Sequence, residues 1–141
     1  MFLIASLSAL IFVLLSILHL YWLFGGKWAM DSVIPTKDKT SDKIFSPSPL
    51  STVVVAIGLL GFGLIALGGT GLFSDGVELK YFRWGNLFIA FIFLARAVGD
   101  FNYVGFFKKI RNTRFAKNDS RYYSPLCLFL AIASILIAWI S

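Results

Sequence analysis

Charge is what this chain has least of. Of its 141 residues, 14% are Asp, Glu, Lys or Arg, where a soluble domain carries about a quarter. With 58% hydrophobic residues, that scarcity excludes disorder and argues against a water-soluble enzyme. There is one cysteine, Cys127, so an intrachain disulfide scaffold is excluded. Lying inside an apolar stretch, it reads as a small buried or lipid-facing side chain. One histidine, His19, beside that one cysteine leaves too few ligands for a transition-metal or haem site built by this chain alone. No cofactor or metal is therefore expected. The sequence also has no P-loop, Rossmann glycine pattern, Gly-x-Ser-x-Gly elbow or His-Glu-x-x-His. No catalytic residue is assigned, and the chain is not read as an enzyme.

What is present is oil. The mean hydropathy is +0.82 and 17% of residues are aromatic. The expected fold is all-α: a polytopic membrane protein, a four-transmembrane-helix bundle forming one membrane domain over residues 1–141. A crossing helix needs about 20 apolar residues. The first uncharged run ends at Lys27, giving a helix at about 2–24. It is too long, and lacks the basic start and small-residue cleavage site, of a signal peptide. A second helix, about 50–68, starts after Ser46-Pro47-Ser48-Pro49 and stops at Gly68-Gly69 and Gly71, since proline suits a first turn and glycine a stop. Gly58, Gly61 and Gly63 within it predict close helix packing. A third runs over about 84–107. A fourth spans about 122–140, with Ser124 as N-cap and Pro125 at the first helical position. Phe45-Ser46-Pro47 and Tyr123-Ser124-Pro125 hint at two duplicated hairpins; shared membrane constraints account for the echo nearly as well.

Orientation follows from the thirteen Lys and Arg, set against seven Asp and Glu. Lys27, Lys37, Lys39 and Lys43 lie in the first loop (25–49), and Lys108, Lys109, Arg111, Arg114, Lys117 and Arg121 in the last (108–121); the middle loop has only Lys80 and Arg83. Ten against two puts both outer loops in the cytoplasm and both termini outside a cytoplasmic membrane. These basic loops predict contact with anionic lipid headgroups, not with nucleic acid.

His19, Arg96 and Asp100 are the informative polar residues within the apolar spans. Arg and Asp each cost roughly 2.5–3.5 kcal/mol to insert at a helix centre, about 5–7 for the pair. Twelve Leu, Ile, Val and Phe side chains in the third span offset about 4–7 kcal/mol on the same scale. That span is marginal alone and must use its neighbours. Arg96 and Asp100 are four apart, on one helix face with Tyr103, so an Arg96–Asp100 salt bridge is the simplest satisfaction. His19 and Asp100 each lie ~9 Å past their span's midpoint in the same direction, which makes them level. Two readings stay open. His19, Arg96, Asp100 and Tyr103 form either a self-satisfied network that fixes helix register, or a pocket opening to the cytoplasmic leaflet for an anionic or carbonyl-bearing ligand.

His19-Leu20-Tyr21-Trp22 followed by Gly25-Gly26, the block from Arg96 to Lys108, Thr113 to Ala116, Asp119, and Tyr122 to Cys127 together resemble a family of small four-helix bacterial integral membrane proteins. It is catalogued as domain of unknown function 3995. The resemblance covers about Ile17 to Leu128. It implies a bacterial four-crossing protein and transfers no activity and no site residue. The functional expectation is an intramembrane site for a lipid or small amphiphile at His19, Arg96, Asp100 and Tyr103. The alternatives are a structural or interaction subunit, joined to a partner membrane protein, and a small homo-oligomeric transporter.

Overall fold

The computed structural model describes residues 1–37 and 42–141; Lys39, one of the basic residues counted above, lies outside them. Among the described residues the chain is all-helical, with one isolated bridge between Thr36 and Lys43. Four long helices carry it: α1 (Phe2–Leu23), α3 (Pro49–Gly68), α4 (Leu79–Val98) and a final helical stretch over Arg114–Ile140. The short α2 (Met30–Val33) sits in the first loop. All four are long and apolar enough to cross a membrane, and a 20-residue helix is ~30 Å long.

The sequence builds these helices inside out. The buried face of α1 is Ala5, Ser8, Ala9, Phe12 and Ser16, mostly small residues at helical spacing. Leu3, Leu7, Leu10, Leu14 and Ile17 point outward. Small residues inside and bulky apolar ones outside is the arrangement expected when lipid is the solvent and backbone approach drives packing. The exposed Trp84 and Trp139 lie at one end of the bundle and Tyr21 and Trp28 at the other, as in interfacial aromatic belts.

Register follows from the contacts. Ser16 Oγ donates to the Ala56 carbonyl at 2.7 Å, while Gly63 lies against Ala9 and Phe12. Later residues of α1 thus meet earlier residues of α3, and the two are antiparallel. Gly63 is the close-packing glycine; a Cβ at Gly58 or Gly61 would meet nothing, so those two positions do not serve the packing expected of them. Gly68 lies under the Phe82 ring and Gly85 against Ile65, which sets α3 antiparallel to α4. The rings of Phe12, Phe62 and Phe93 meet at 5.5–6.2 Å between centroids and join α1, α3 and α4. The main seams are α1 on α3 and α4 on the last helix.

Three boundaries differ from the sequence expectation. α4 begins at Leu79, five residues before residue 84. α4 ends at Val98, not near residue 107. Gly99 follows with φ +83°, which takes the chain off the helical path. Asp100 Oδ1 then accepts from the backbone N–H of Asn102, Tyr103 and Val104 at 2.8–3.0 Å. A short acid bonding its own backbone in this way competes with helix continuation. The Phe106 N–H returns to the Ala97 carbonyl at 2.8 Å, closing a tight loop. A Cβ on Gly99 or on Gly105 (φ +89°) would overlap backbone atoms of the opposite side, so this closure requires glycine at both places.

The last helix begins at Arg114, eight residues earlier than residue 122. Its N-cap is Thr113, whose side chain accepts from the Ala116 N–H at 3.0 Å. Ser124 is therefore no cap: it lies inside the helix with its hydroxyl buried and unbonded among the described residues. The stretch comprises α5 (Arg114–Asn118), one π-turn (Asp119–Tyr123) and α6 (Ser124–Ile140). Pro125 has no N–H to continue the i→i−4 ladder, and the wider turn absorbs the break.

Candidate functional site

Asp119 stands where the π-turn meets the loop after α4, and it is fully buried. Oδ1 accepts from Arg96 Nη2 at 2.8 Å. Oδ2 accepts from the Gly105 N–H at 2.8 Å and from Lys108 Nζ at 3.1 Å. Lys108 is as deeply buried as its partner. Its ammonium also donates to the Gly105 carbonyl at 2.9 Å and to Ser120 Oγ at 2.5 Å, so its three protons are all engaged. Arg96, at the end of α4, is half-buried. Its Nη1 is buried with no hydrogen-bond partner among the described residues.

The Arg96 to Lys108 block thus acts as one clamp. Gly99 and Gly105 close the loop, Asp100 ties its turn, and Arg96, the Gly105 N–H and Lys108 converge on one carboxylate 11 to 23 positions downstream. Burial works to raise the Asp100 pKa; the N–H groups of Asn102, Tyr103 and Val104 outweigh it and hold the carboxyl below its ordinary value.

This corrects the expected Arg96–Asp100 pair. Arg96 bonds Asp119 instead, because the helix that would have stacked Arg96 and Asp100 stops at Val98. Asp100 is exposed in the loop and Tyr103 lies beside it. The insertion arithmetic changes accordingly: in place of an Arg and an Asp at its centre, α4 carries Arg96 in its last turn, already paired with Asp119, and Lys80 and Arg83 in its first turns.

Beside the clamp lies a cavity of about 830 Å³, within the ~300–1,000 Å³ usual for small-molecule sites. It is bounded by the second half of α1 (Leu15, Leu18, His19, Trp22), by α2 and the Phe45–Ser48 segment, and by the first two turns of α3 (Ser51, Thr52, Val55). Phe93 and Arg96 of α4, with Tyr123, Leu126, Cys127 and Leu130 of the last helix, complete it. The walls are mostly apolar. Of the four residues singled out from sequence, the structure brings His19 and Arg96 to these walls, while Asp100 and Tyr103 are not part of them.

His19 Nδ1 lies 2.7 Å from the Leu15 carbonyl. A carbonyl only accepts, so Nδ1 holds a proton and Nε2 is the ring's remaining polar atom. The first turn of α3 is capped by Ser48, whose Oγ accepts from the Ser51 N–H at 3.1 Å. The positive end of that helix therefore forms part of the cavity wall. Among the described residues no three His, Cys, Asp or Glu side chains gather to hold a metal ion.

Sequence reasoning missed Asp119 and Lys108 as site residues. One signal was available: Asp119 is the sole acid between Lys108 and Arg121. An isolated acid in a basic loop is a natural partner for an intramembrane arginine.

Fold and site together define a class: a small antiparallel four-helix bundle of membrane-crossing dimensions, with an ion cluster and an apolar cavity at one end. The family described as "Protein of unknown function (DUF3995)" matches residues 12–134, and the chain belongs to it. No curated protein and no solved structure matches the chain.

Proposed function

We propose that this protein binds a small amphiphile in the cavity between its two helical hairpins, as a multi-pass protein of a bacterial cytoplasmic membrane with both termini outside. The observation that carries the reading is the joint placement of His19 and Arg96 on the wall of one cavity of about 830 Å³ whose remaining walls are largely apolar. An apolar pocket with a few convergent polar groups is the common form of a ligand site. Its polar groups lie at the basic-loop end of the bundle, which the count of ten basic residues against two assigns to the cytoplasm. A headgroup would rest near the leaflet surface there, with its chain directed between the hairpins.

The experiment is native mass spectrometry of the full chain, released from its own membranes. The expected result is a retained small molecule that is lost in Val55→Trp, which fills the cavity from α3. A retained second protein, with no small molecule, would replace this reading by that of a subunit.

A further inference from the structure

We infer that the cavity selects an amphiphile whose head carries a single negative charge, its oxyanion paired with Arg96. This rests on the amphiphile reading above and adds the charge of the ligand.

The argument is a count of charges. Arg96 and Lys108 face one carboxylate, Asp119. Lys108 is fully buried and each of its protons has an acceptor. The surplus unit of positive charge therefore resides on the guanidinium, the one member of the cluster that reaches the cavity. Its Nη1 is buried and unpartnered among the described residues. The Arg96 side chain is still 32% exposed, so covering it with an apolar ligand is costly unless that ligand brings a counter-ion. No acidic side chain of the described residues lines the cavity, so the chain itself does not supply that counter-ion there.

The N-terminal turn of α3, through Ser51 and Thr52, forms part of the same wall, and a helix N-terminus also favours an anion. A monoanion brings the count to zero. A zwitterion would bring its own cation, and a neutral head would leave the surplus in place. Arginine's planar fork suits a carboxylate and a phosphodiester alike, so the shared chemistry is a monoanionic oxyanion on an apolar chain.

Trp22 lines the cavity and reports on it. The full chain, in nanodiscs of zwitterionic lipid, is titrated with dibromostearate at a pH where the acid is ionised, and separately with its methyl ester. Trp22→Phe, run in parallel, isolates the quenching that belongs to the cavity. The acid is expected to quench Trp22 at about tenfold lower concentration or less, as a charge-assisted hydrogen bond implies. A second pair, brominated phosphatidylglycerol against brominated phosphatidylcholine, distinguishes a phosphodiester source from a free carboxylate. Preference for the charged member of either pair supports the inference. Equal quenching by both members of both pairs overturns it and leaves the amphiphile pocket standing. No Trp22-specific quenching by any probe overturns the pocket as well.

Discussion

Arg96 and Asp119, 23 positions apart in the chain, meet at 2.8 Å across the junction between α4 and the last helix. The contact ties the end of α4 to the start of the last helix at the basic end of the bundle. At the other end Arg83 Nη2 donates to the Ser141 carbonyl at 2.8 Å, so α4 and the last helical stretch are pinned antiparallel at both extremities.

Removing the carboxylate leaves two cations with no counter-charge, one of them fully buried. Asp119→Asn is expected to destabilise the fold by about 3–5 kcal/mol, the usual cost of stranding a buried ion. Thermal unfolding in detergent, followed by near-UV circular dichroism, reads this directly. Asp100→Asn keeps an oxygen acceptor for the same three N–H groups in an exposed turn, and its midpoint should stay near that of the parent. The reverse order of the two midpoints would dismiss the clamp.

Glycine tolerance should divide sharply along the chain. Gly99→Ala and Gly105→Ala each place a Cβ into backbone atoms at a positive φ, and both should lose folded protein in size-exclusion profiles. Gly61→Ala meets nothing within 4 Å and should hold or gain stability, by about 0.5–1 kcal/mol from helix propensity. A harmless Gly99→Ala would show that the loop does not close as described.

Acid should loosen the loop. The Asp100 carboxyl lies below its ordinary value in the fold, so the stability it contributes is present at neutral pH. It is lost as pH falls below the unfolded value, ~3.9 for aspartate, and through the lower folded one. The protection of the Asn102, Tyr103 and Val104 amides, read as their exchange rate against the intrinsic rate at each pH, should therefore fall on acidification through that window. In Asp100→Ala the same amides should already exchange fast at neutral pH, with the acid step gone.

His19→Leu separates binding from folding. It removes the cavity's imidazole and one local hydrogen bond, a loss of about 1 kcal/mol. Insertion and thermal stability should change little, while the small molecule retained in native mass spectrometry should fall. A collapse in yield would instead make His19 part of the structural network.

The four apolar runs, the Ser48-Pro49 start of α3 and its Gly68-Gly69 stop were legible because each depends on neighbours along the chain. Hydropathy adds up residue by residue, and caps act within one turn. By the same local reasoning, Phe101, Val104, Phe106 and Phe107 extended the third span, although the chain turns back at Gly99. The family resemblance also reached the right block of residues without saying what the block does.

The partner of Arg96 was beyond such reasoning. Spacing offered Asp100, four residues on, and that choice held only if the helix continued. A positive φ at Gly99 and the three N–H groups gathered by Asp100 end it. The π-turn before Pro125 then carries Asp119 inward. An ion pair forms where folding brings charges within hydrogen-bonding reach, and that distance belongs to the packed loop and not to the order of residues. Solvent preference and helix ends are properties of segments, readable one segment at a time; the cluster at Asp119 and the cavity beside it exist only once all four helices have met.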